Sequence, residues 1–488
     1  MVQDFIISLQ KATKRILAKI SPVFSLLLWA LPLLIFPLYS ERSNTLVLFL
    51  AFGLSLSGFS IYLVSLKSGG SERLGILFGI VIRAVLIFYP VFLSEDVYRF
   101  LWDGTLFYEG ISPFSSAPEN LEPSLISELS PQIKNELLQK MNSKGFHSVY
   151  PPILQILFAV SSIGMLKFQS VSVGIILWKT ILFLFELGVL YLFANSRSIA
   201  KPKLFLLYWL HPLVLWEGIG NGHAEPILVF FLIFSLESYR RKKIFLASLS
   251  FLAAILTKLV PLLFLPFLFF RKITGISKEQ ISRKVVLVPL ISATFVFVCS
   301  FLFFFWISSD SFFSNFLELL KAQWKSGIGV YFRLFEFHGL MYYLWKWILQ
   351  QFGLNFYQAG IHLAILSGVF ILISSWKEAR LETENGQEII PRTAKFWILC
   401  LGIYYCFSTT IHSWYLLPLL AISVFTGFFW PIVAASVWIL SYSTYGNVPY
   451  KDSYIIMLLE FGLVAIAFFW DVKRKNQKIQ KIFDEPSV

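Results

Sequence analysis

Residues 74–104 read LGILFGIVIRAVLIFYPVFLSEDVYRFLWDG, a run of about twenty mostly apolar residues that passes directly into Glu95, Asp96, Arg99 and Asp103. An apolar run of that length is what a membrane-crossing helix requires, and ionisable groups set at its end stand where charge is expensive. The apolar half points to the fold class. The charged half points to the chemistry.

The same apolar signal recurs along the chain. Its 488 residues are 57% hydrophobic and 18% aromatic, with a mean hydropathy of +0.71. Stretches at 22–39, 44–66, 74–93, 171–194, 203–220, 226–239, 285–307, 356–376, 395–411, 413–429, 431–446 and 453–471 predict an all-α, polytopic transmembrane protein of about 12–14 spans. Three regions are expected: an amphipathic cytoplasmic helix over 1–21, a transmembrane domain over 22–471 and a basic cytoplasmic tail over 472–488. In the first, Phe5, Ile6, Leu9, Ile16, Leu17 and Ile20 recur at helical spacing opposite Lys11, Lys14, Arg15 and Lys19.

The formal charge of +13 lies in short clusters between apolar runs, at Arg240 to Lys243, Arg271 to Lys284 and Lys473 to Lys481. That is the positive-inside pattern of a multi-pass protein and not a nucleic-acid-binding surface. Cys299, Cys400 and Cys406 all fall in apolar runs, so neither a disulfide framework nor a cysteine metal site is indicated. With a basic N-terminus inside, the third span delivers residues 94–150 to the outer side. This long segment sets Glu95, Asp96, Asp103, Glu109, Glu119, Glu122, Glu128 and Glu136 against Arg99, Lys134, Lys140 and Lys144, as suits an outer loop.

The charge rule also constrains three ambiguous pieces. Residues 151–166, opened by Pro151-Pro152, and residues 338–352 are expected to be short, tilted or re-entrant. Residues 244–270, with Lys258 and Pro261 in the middle, are expected to form two short helices meeting near Lys258. Asp96, Asp103, His147, Tyr150, Asn221, His223, Glu225, Lys258, His338, His412, Trp414 and Tyr415 then all end at the outer membrane surface.

Each motif has a chemical reading and a plainer one. Asp96, held at a helix end near the headgroups, is the candidate general base. Asp103 lies seven residues on and shares its face if the helix continues, whereas Asp103-Gly104 as a helix stop separates them. His147-Ser148-Val149-Tyr150-Pro151-Pro152 offers a His and a Tyr beside what is otherwise a plain helix start. Gly220-Asn221-Gly222-His223-Ala224-Glu225-Pro226 frees the backbone so that Asn221, His223 and Glu225 can point into a site. Lys258 has few partners in lipid and either meets a phosphate or snorkels. Trp414 and Tyr415 serve either a site or an interfacial belt. No glycine-rich phosphate loop, His-x-x-x-His, Cys-x-x-Cys or Gly-x-Ser-x-Gly occurs, which argues against an NTPase, a metalloprotease and a serine hydrolase.

The order Asp-Val-Tyr-Arg-Phe-Leu-Trp-Asp-Gly from Asp96, Gly110-Ile-Ser-Pro-Phe, Tyr150-Pro-Pro-Ile-Leu-Gln, Gly220-Asn-Gly-His-Ala-Glu, Lys258-Leu-Val-Pro, Phe-Glu-Phe-His338-Gly and Ser413-Trp-Tyr-Leu-Leu resembles the GT-C superfamily of integral membrane glycosyltransferases. Within it, the chain resembles bacterial polyprenyl-phosphate-mannose-dependent mannosyltransferases and, more distantly, the catalytic subunit of GPI mannosyltransferase I. The resemblance implies a GT-C-like architecture with a long first extracytoplasmic catalytic loop in a bacterial cytoplasmic (inner) membrane. It implies Asp96 as the catalytic residue, and it maps the family's Asn-Gly-His-Asn/Asp pattern onto Asn221, Gly222, His223 and, with Glu for Asp, Glu225. The implied partners are a polyprenyl-phosphate sugar donor, with mannose as the sugar, a lipid-linked or glycan acceptor, and membrane lipids.

On that reading Asp96 takes the acceptor proton, Lys258, Arg99 and His223 stabilise the departing phosphate, and Glu95, Asp103, Tyr150, His412, Trp414 and Tyr415 complete the substrate site. No cofactor is required, while Glu95, Asp96 and Asp103 leave a divalent cation open. Two other classes stand beside this one: a flippase or transporter of lipid-linked sugars, and a noncatalytic subunit of an envelope-glycan assembly complex.

Overall fold

A computed structural model describes residues 20–66, 70–122, 126–195, 202–273, 318, 321–380, 389–446 and 448–473. The expected amphipathic N-terminal helix, the span at 285–307 and the basic tail beyond Lys473 lie outside the described residues. In chain order the α-helices are α1 (Pro22–Tyr39), α2 (Thr45–Ser65), α3 (Gly70–Leu86), α4 (Asp96–Tyr108), α5 (Pro131–Lys140), α6 (Pro152–Phe168), α7 (Val171–Asn195), α8 (Pro202–Trp209), α9 (Glu225–Arg240), α10 (Ile244–Thr257), α11 (Leu265–Ile273), α12 (Leu340–Gln351), α13 (Ala359–Ala379), α14 (Ile389–Cys406), α15 (Leu416–Ser423), α16 (Trp430–Val437) and α17 (Tyr454–Lys473). No strand occurs among the described residues; isolated bridges join Phe337 and His338 to Thr410.

The protein is an all-α, multi-pass membrane protein. Five described helical segments are long and apolar enough to cross a bilayer: α1, α2, α7, Phe356–Ala379 and α17. A sixth follows if Val214–Gly220 and α9 are one broken span. Their outward faces are apolar: Ile455, Leu458, Ile466 and Phe469 on α17 and Ile365, Leu372 and Ile373 on α13 are exposed. Lipid, not water, suits such faces.

Among the described residues, some of the expected spans are interrupted. The apolar run 203–220 breaks after Trp209, before Pro212, and resumes as a fully buried π-helical turn over Val214–Gly220. Proline lacks the N–H and crowds the preceding turn, and irregular backbone survives here because it is buried in protein. The runs at 413–429 and 431–446 likewise shorten to α15 and to α16 with a following 3₁₀ turn.

Two of the ambiguous pieces behave as expected. Between 244 and 270, α10 ends at an extended Lys258 (φ −154°, ψ 138°), a 3₁₀ turn follows over Val260–Phe264, and α11 begins. The 12 residues of α12 reach only about 18 Å, short of a ~30 Å hydrocarbon core. Over 151–166 the structure has one unbroken 17-residue helix, α6, which at about 26 Å is a short span.

The chain divides into two compact units. The first comprises Met1–Leu93, Phe193–Asn221 and Ser413–Val488; the second comprises Ser94–Leu192 and Gly222–His412. In the first, α1 packs along α2, and Gly58 brings α2 so close that a Cβ there would strike the backbone of Trp29. Arg83, fully buried on α3, stacks on Trp209 at 3.7 Å and donates to the Trp209 carbonyl at 2.9 Å. In the second, α4 packs on α6 and α9 on α10. Gly104 faces the Phe158 carbonyl, where a Cβ has no room, and Ser162 Oγ donates to the Leu101 carbonyl at 2.9 Å. The close approach of α4 and α6 explains why Gly104 lies inside a helix. The alternative of a helix stop at Asp103-Gly104 is overturned, because α4 runs on to Tyr108.

Candidate active site

The second unit gathers most of the singled-out polar residues. Asp96 opens the first turn of α4, where the positive end of the helix dipole favours a carboxylate. Its Oδ2 lies 4.0 Å from His223 Nε2, with the Asp96 side chain 24% exposed and that of His223 2%. Burial raises the Asp96 pKa above the ordinary carboxylate range, as does Glu225. His223, a hydrogen bond from Asn142 and the charge of Lys258 oppose the shift. A partly exposed carboxylate with a raised pKa is a better proton acceptor than an ordinary one.

His223 and Glu225 stand at the foot of α9, released from helical geometry by Gly222 at φ +76°. Glu225 accepts from Lys258 Nζ at 2.5 Å, the lysine being 32% and the glutamate 4% exposed. The sequence suggested a lysine with few partners; the fold supplies a carboxylate 33 residues away. His412 is held well below its usual pKa by burial and by the nearby charges of His223, Lys258 and His338. The ring of Phe337 lies 4.5 Å from that of His412. Phe337 N donates to the Thr409 carbonyl at 3.1 Å and Ile411 N to the Phe337 carbonyl at 2.8 Å. That junction keeps His338 fully buried at φ +52°, a left-handed conformation uncommon outside glycine.

Asp103 and Arg99 are paired with each other. Arg99 Nε donates to Asp103 Oδ1 at 2.7 Å, with both side chains almost fully buried. Arg99 Nη1 also donates to the carbonyls of Ser143 and Phe146 at 3.0 and 2.8 Å. Asp103 Oδ2 accepts from Ser148 Oγ at 2.5 Å and Gln155 Nε2 at 3.5 Å. The pair therefore ties residues 143–148 to α4. Glu95 is half-buried and accepts from Asn142 at 3.5 Å. His147 reaches the segment after residue 320 through Ser326, 2.5 Å from its Nδ1.

Tyr150 packs edge-on against Phe100 at 5.0 Å, and its hydroxyl pKa is pushed well up by burial and then by Asp96 and Tyr331. Tyr331, which sequence reasoning missed, is raised by burial and by Asp96 and so belongs beside the same carboxylate. Its backbone carbonyl accepts from Thr409 Oγ1 at 2.6 Å. A tyrosine in a Phe-rich stretch carries no distinguishing signal in sequence.

Asn221, Trp414 and Tyr415 belong to the first unit. There Asn221 Oδ1 accepts from Phe92 N and Leu93 N at 3.0 and 2.8 Å, and its Nδ2 donates to the Trp216 carbonyl at 2.9 Å. Its amide thus braces the chain just before the acidic loop. Glu217, also missed, is fully buried and accepts from Ser413 Oγ at 2.5 Å and from the Tyr442 hydroxyl at 2.8 Å. Trp414 and Tyr415 are half-buried with their rings 5.8 Å apart, edge to face. Among the described residues no group of three or more His, Cys, Asp or Glu is placed to hold a metal ion.

Residues 84–273 match a family described as alpha-(1->6)-mannopyranosyltransferase, N-terminal domain. The match covers less than half of the chain, and over that segment the protein is similar to membrane mannosyltransferases. The matched segment holds Asp96, Arg99, Asp103, Tyr150, Asn221, His223, Glu225 and Lys258, and it stops before Tyr331, His338 and His412. No curated protein and no solved structure matches the chain.

Proposed function

We propose that the protein is a GT-C-type glycosyltransferase that moves a mannosyl residue from a polyprenyl-phosphate donor to a hydroxyl of a lipid-linked or glycan acceptor, on the extracytoplasmic face of a bacterial cytoplasmic membrane. The observation that carries the reading is Asp96, a partly exposed carboxylate at a helix start with a raised pKa, 4.0 Å from His223. The family match over 84–273 supports mannosyl transfer as the reaction class.

In this reaction the acceptor O–H gives its proton to Asp96 as its oxygen forms a bond to the anomeric carbon. The bond from that carbon to the phosphate oxygen breaks on the opposite side, so the configuration inverts. The departing bond pair stays on the phosphate, which already leaves readily, so one base suffices where a glycosidase needs two carboxyls. Lys258, with its ammonium 32% exposed beside Glu225, and His223 supply positive charge to that phosphate. Arg99 ties the loop together through its Nε on Asp103 and its Nη1 on two backbone carbonyls.

The test is release of sugar from a panel of polyprenyl-phosphate sugars by purified wild type and Asp96→Asn, with membrane lipids supplied as acceptors. Turnover of a mannosyl donor that falls about 10²–10⁴-fold in the variant is expected for loss of a general base. Turnover at wild-type rate in the variant would remove Asp96 from the chemistry.

A further inference from the structure

We infer that Trp178 is the positioning residue that holds His223 against Asp96. This rests on the proposed transferase reading for its catalytic consequence but on geometry alone for its structural one. Trp178 is fully buried on α7, and its indole N–H donates to the Gly222 carbonyl at 2.6 Å. The same edge of the indole sits close to the backbone there: a Cβ at Gly222 would meet Trp178 Cδ1 and Nε1 at 3.2 and 3.3 Å. Gly222 stands at φ +76° immediately before His223, in a connection outside any helix, so a buried hydrogen bond to its carbonyl is a strong restraint on where the next residue points.

The other end of the restraint is equally fixed. Phe100 and Phe158 stack at 4.5 Å and 5°, and both pack on Trp178, at 5.5 and 5.1 Å. Phe100 lies one turn after Asp96 on α4, and Tyr150 closes the cluster edge-on against both phenylalanines. One aromatic block therefore backs the helix that carries Asp96 and, through a single N–H, the peptide that carries His223. The 4.0 Å separation of the two is set by this block. In sequence Trp178 reads as one more apolar residue of a span.

Phe at position 178 keeps an aromatic ring and deletes the N–H. Trp178→Phe is expected to lower kcat about 10- to 100-fold with the donor KM within about twofold. The acid limb of the pH profile should move to higher pH, because His223 normally opposes the upward shift of Asp96 while Glu225 supports it and Lys258, Asn142, Tyr150 and Tyr331 stay in place. In a His223→Ala background the same substitution should cost nothing further, and amide exchange of residues 222–225 should quicken in the variant. If Trp178→Phe fails to fold, benzothienylalanine at 178, which replaces only N–H by sulfur, carries the same expectations. Unchanged amide exchange, or a kcat loss that multiplies with that of His223→Ala, overturns the inference. A wild type that turns over no donor instead overturns the transferase reading, and the exchange measurement still decides whether Trp178 holds the loop.

Discussion

Replacing Arg99 by Met separates two roles that the sequence leaves tangled. If Arg99 met the donor phosphate, its loss would raise the donor KM and leave the fold largely intact. The structure buries it instead, 2.7 Å from Asp103, with the two side chains 3% and 0% exposed. Removing one member of a buried pair strands the other charge, at about 3–5 kcal/mol. The variant also loses two donations from a charged group to the carbonyls of Ser143 and Phe146, each worth on the order of 1.5–3 kcal/mol. These terms overlap, so a total of about 4–6 kcal/mol is expected. For a folded unit of this kind that lowers Tm by roughly 5–15 °C. Thermal unfolding in detergent, followed by tryptophan fluorescence, reads it directly. Asp103→Leu should melt similarly low, and Arg99→Met/Asp103→Leu should lose less than the sum of the singles by about 1–3 kcal/mol, since no charge is then stranded. An Arg99→Met protein that melts like wild type with a donor KM raised tenfold or more would refute the reasoning and return Arg99 to the phosphate.

The carboxylate at 96 must be ionised to accept a proton, so kcat/KM should rise with pH through its raised pKa; His223→Ala removes a lowering influence and moves that limb to higher pH, while Glu225→Gln removes a raising one and moves it to lower pH. Both shifts are read from pH–rate profiles. Gly104→Ala places a Cβ against the Phe158 carbonyl and should cost about 1–3 kcal/mol or more in thermal stability, because backbone has little freedom to move aside. His338→Gly relieves a left-handed backbone at φ +52° but empties the space of a fully buried ring, so a net loss of about 1–3 kcal/mol in thermal stability is expected together with lowered turnover. A His338→Gly variant as stable and as active as wild type would show that neither packing nor site resides there.

Composition and apolar run length are enough to read a helical membrane protein, because burial in lipid selects for both. The break at Lys258 was legible too, since a lysine and a proline inside one apolar run are hard to carry across hydrocarbon. The interruptions within other single apolar runs were not. Hydropathy scores the run 203–220 as one apolar block and is blind to the turn that Pro212 forces or to the π-helical geometry of Val214–Gly220. At the site, the residue types were legible and their partnerships were not. Lys258 and Glu225 are 33 positions apart, and only the fold brings them to 2.5 Å. Arg99 and Asp103 are different: their four-residue spacing is the spacing of helical neighbours, and it marks a mutual pair once α4 is known to continue. Trp178 and Tyr331 gave no signal, because an aromatic among aromatics becomes distinctive only by what its polar atom reaches.

The two aspartates of α4 show how environment divides labour that sequence presents as equal. They stand seven residues apart on one helix, each within a cluster of ionisable and aromatic neighbours. Asp96 lies at the helix start, where the first-turn amides favour its charge and its side chain keeps 24% of its exposure. His223 Nε2 lies 4.0 Å from it, and burial holds its pKa up. Asp103 lies two turns deeper, with no exposure, one oxygen on Arg99 and the other on Ser148. Asp103 is thereby saturated by partners within the fold. The same saturation makes it a good anchor, because it holds residues 143–148 beside the helix whose first residue is proposed to do the chemistry. Of these two aspartates it is Asp96, the one whose side chain keeps its exposure and whose pKa is held up, that is proposed to take the acceptor proton.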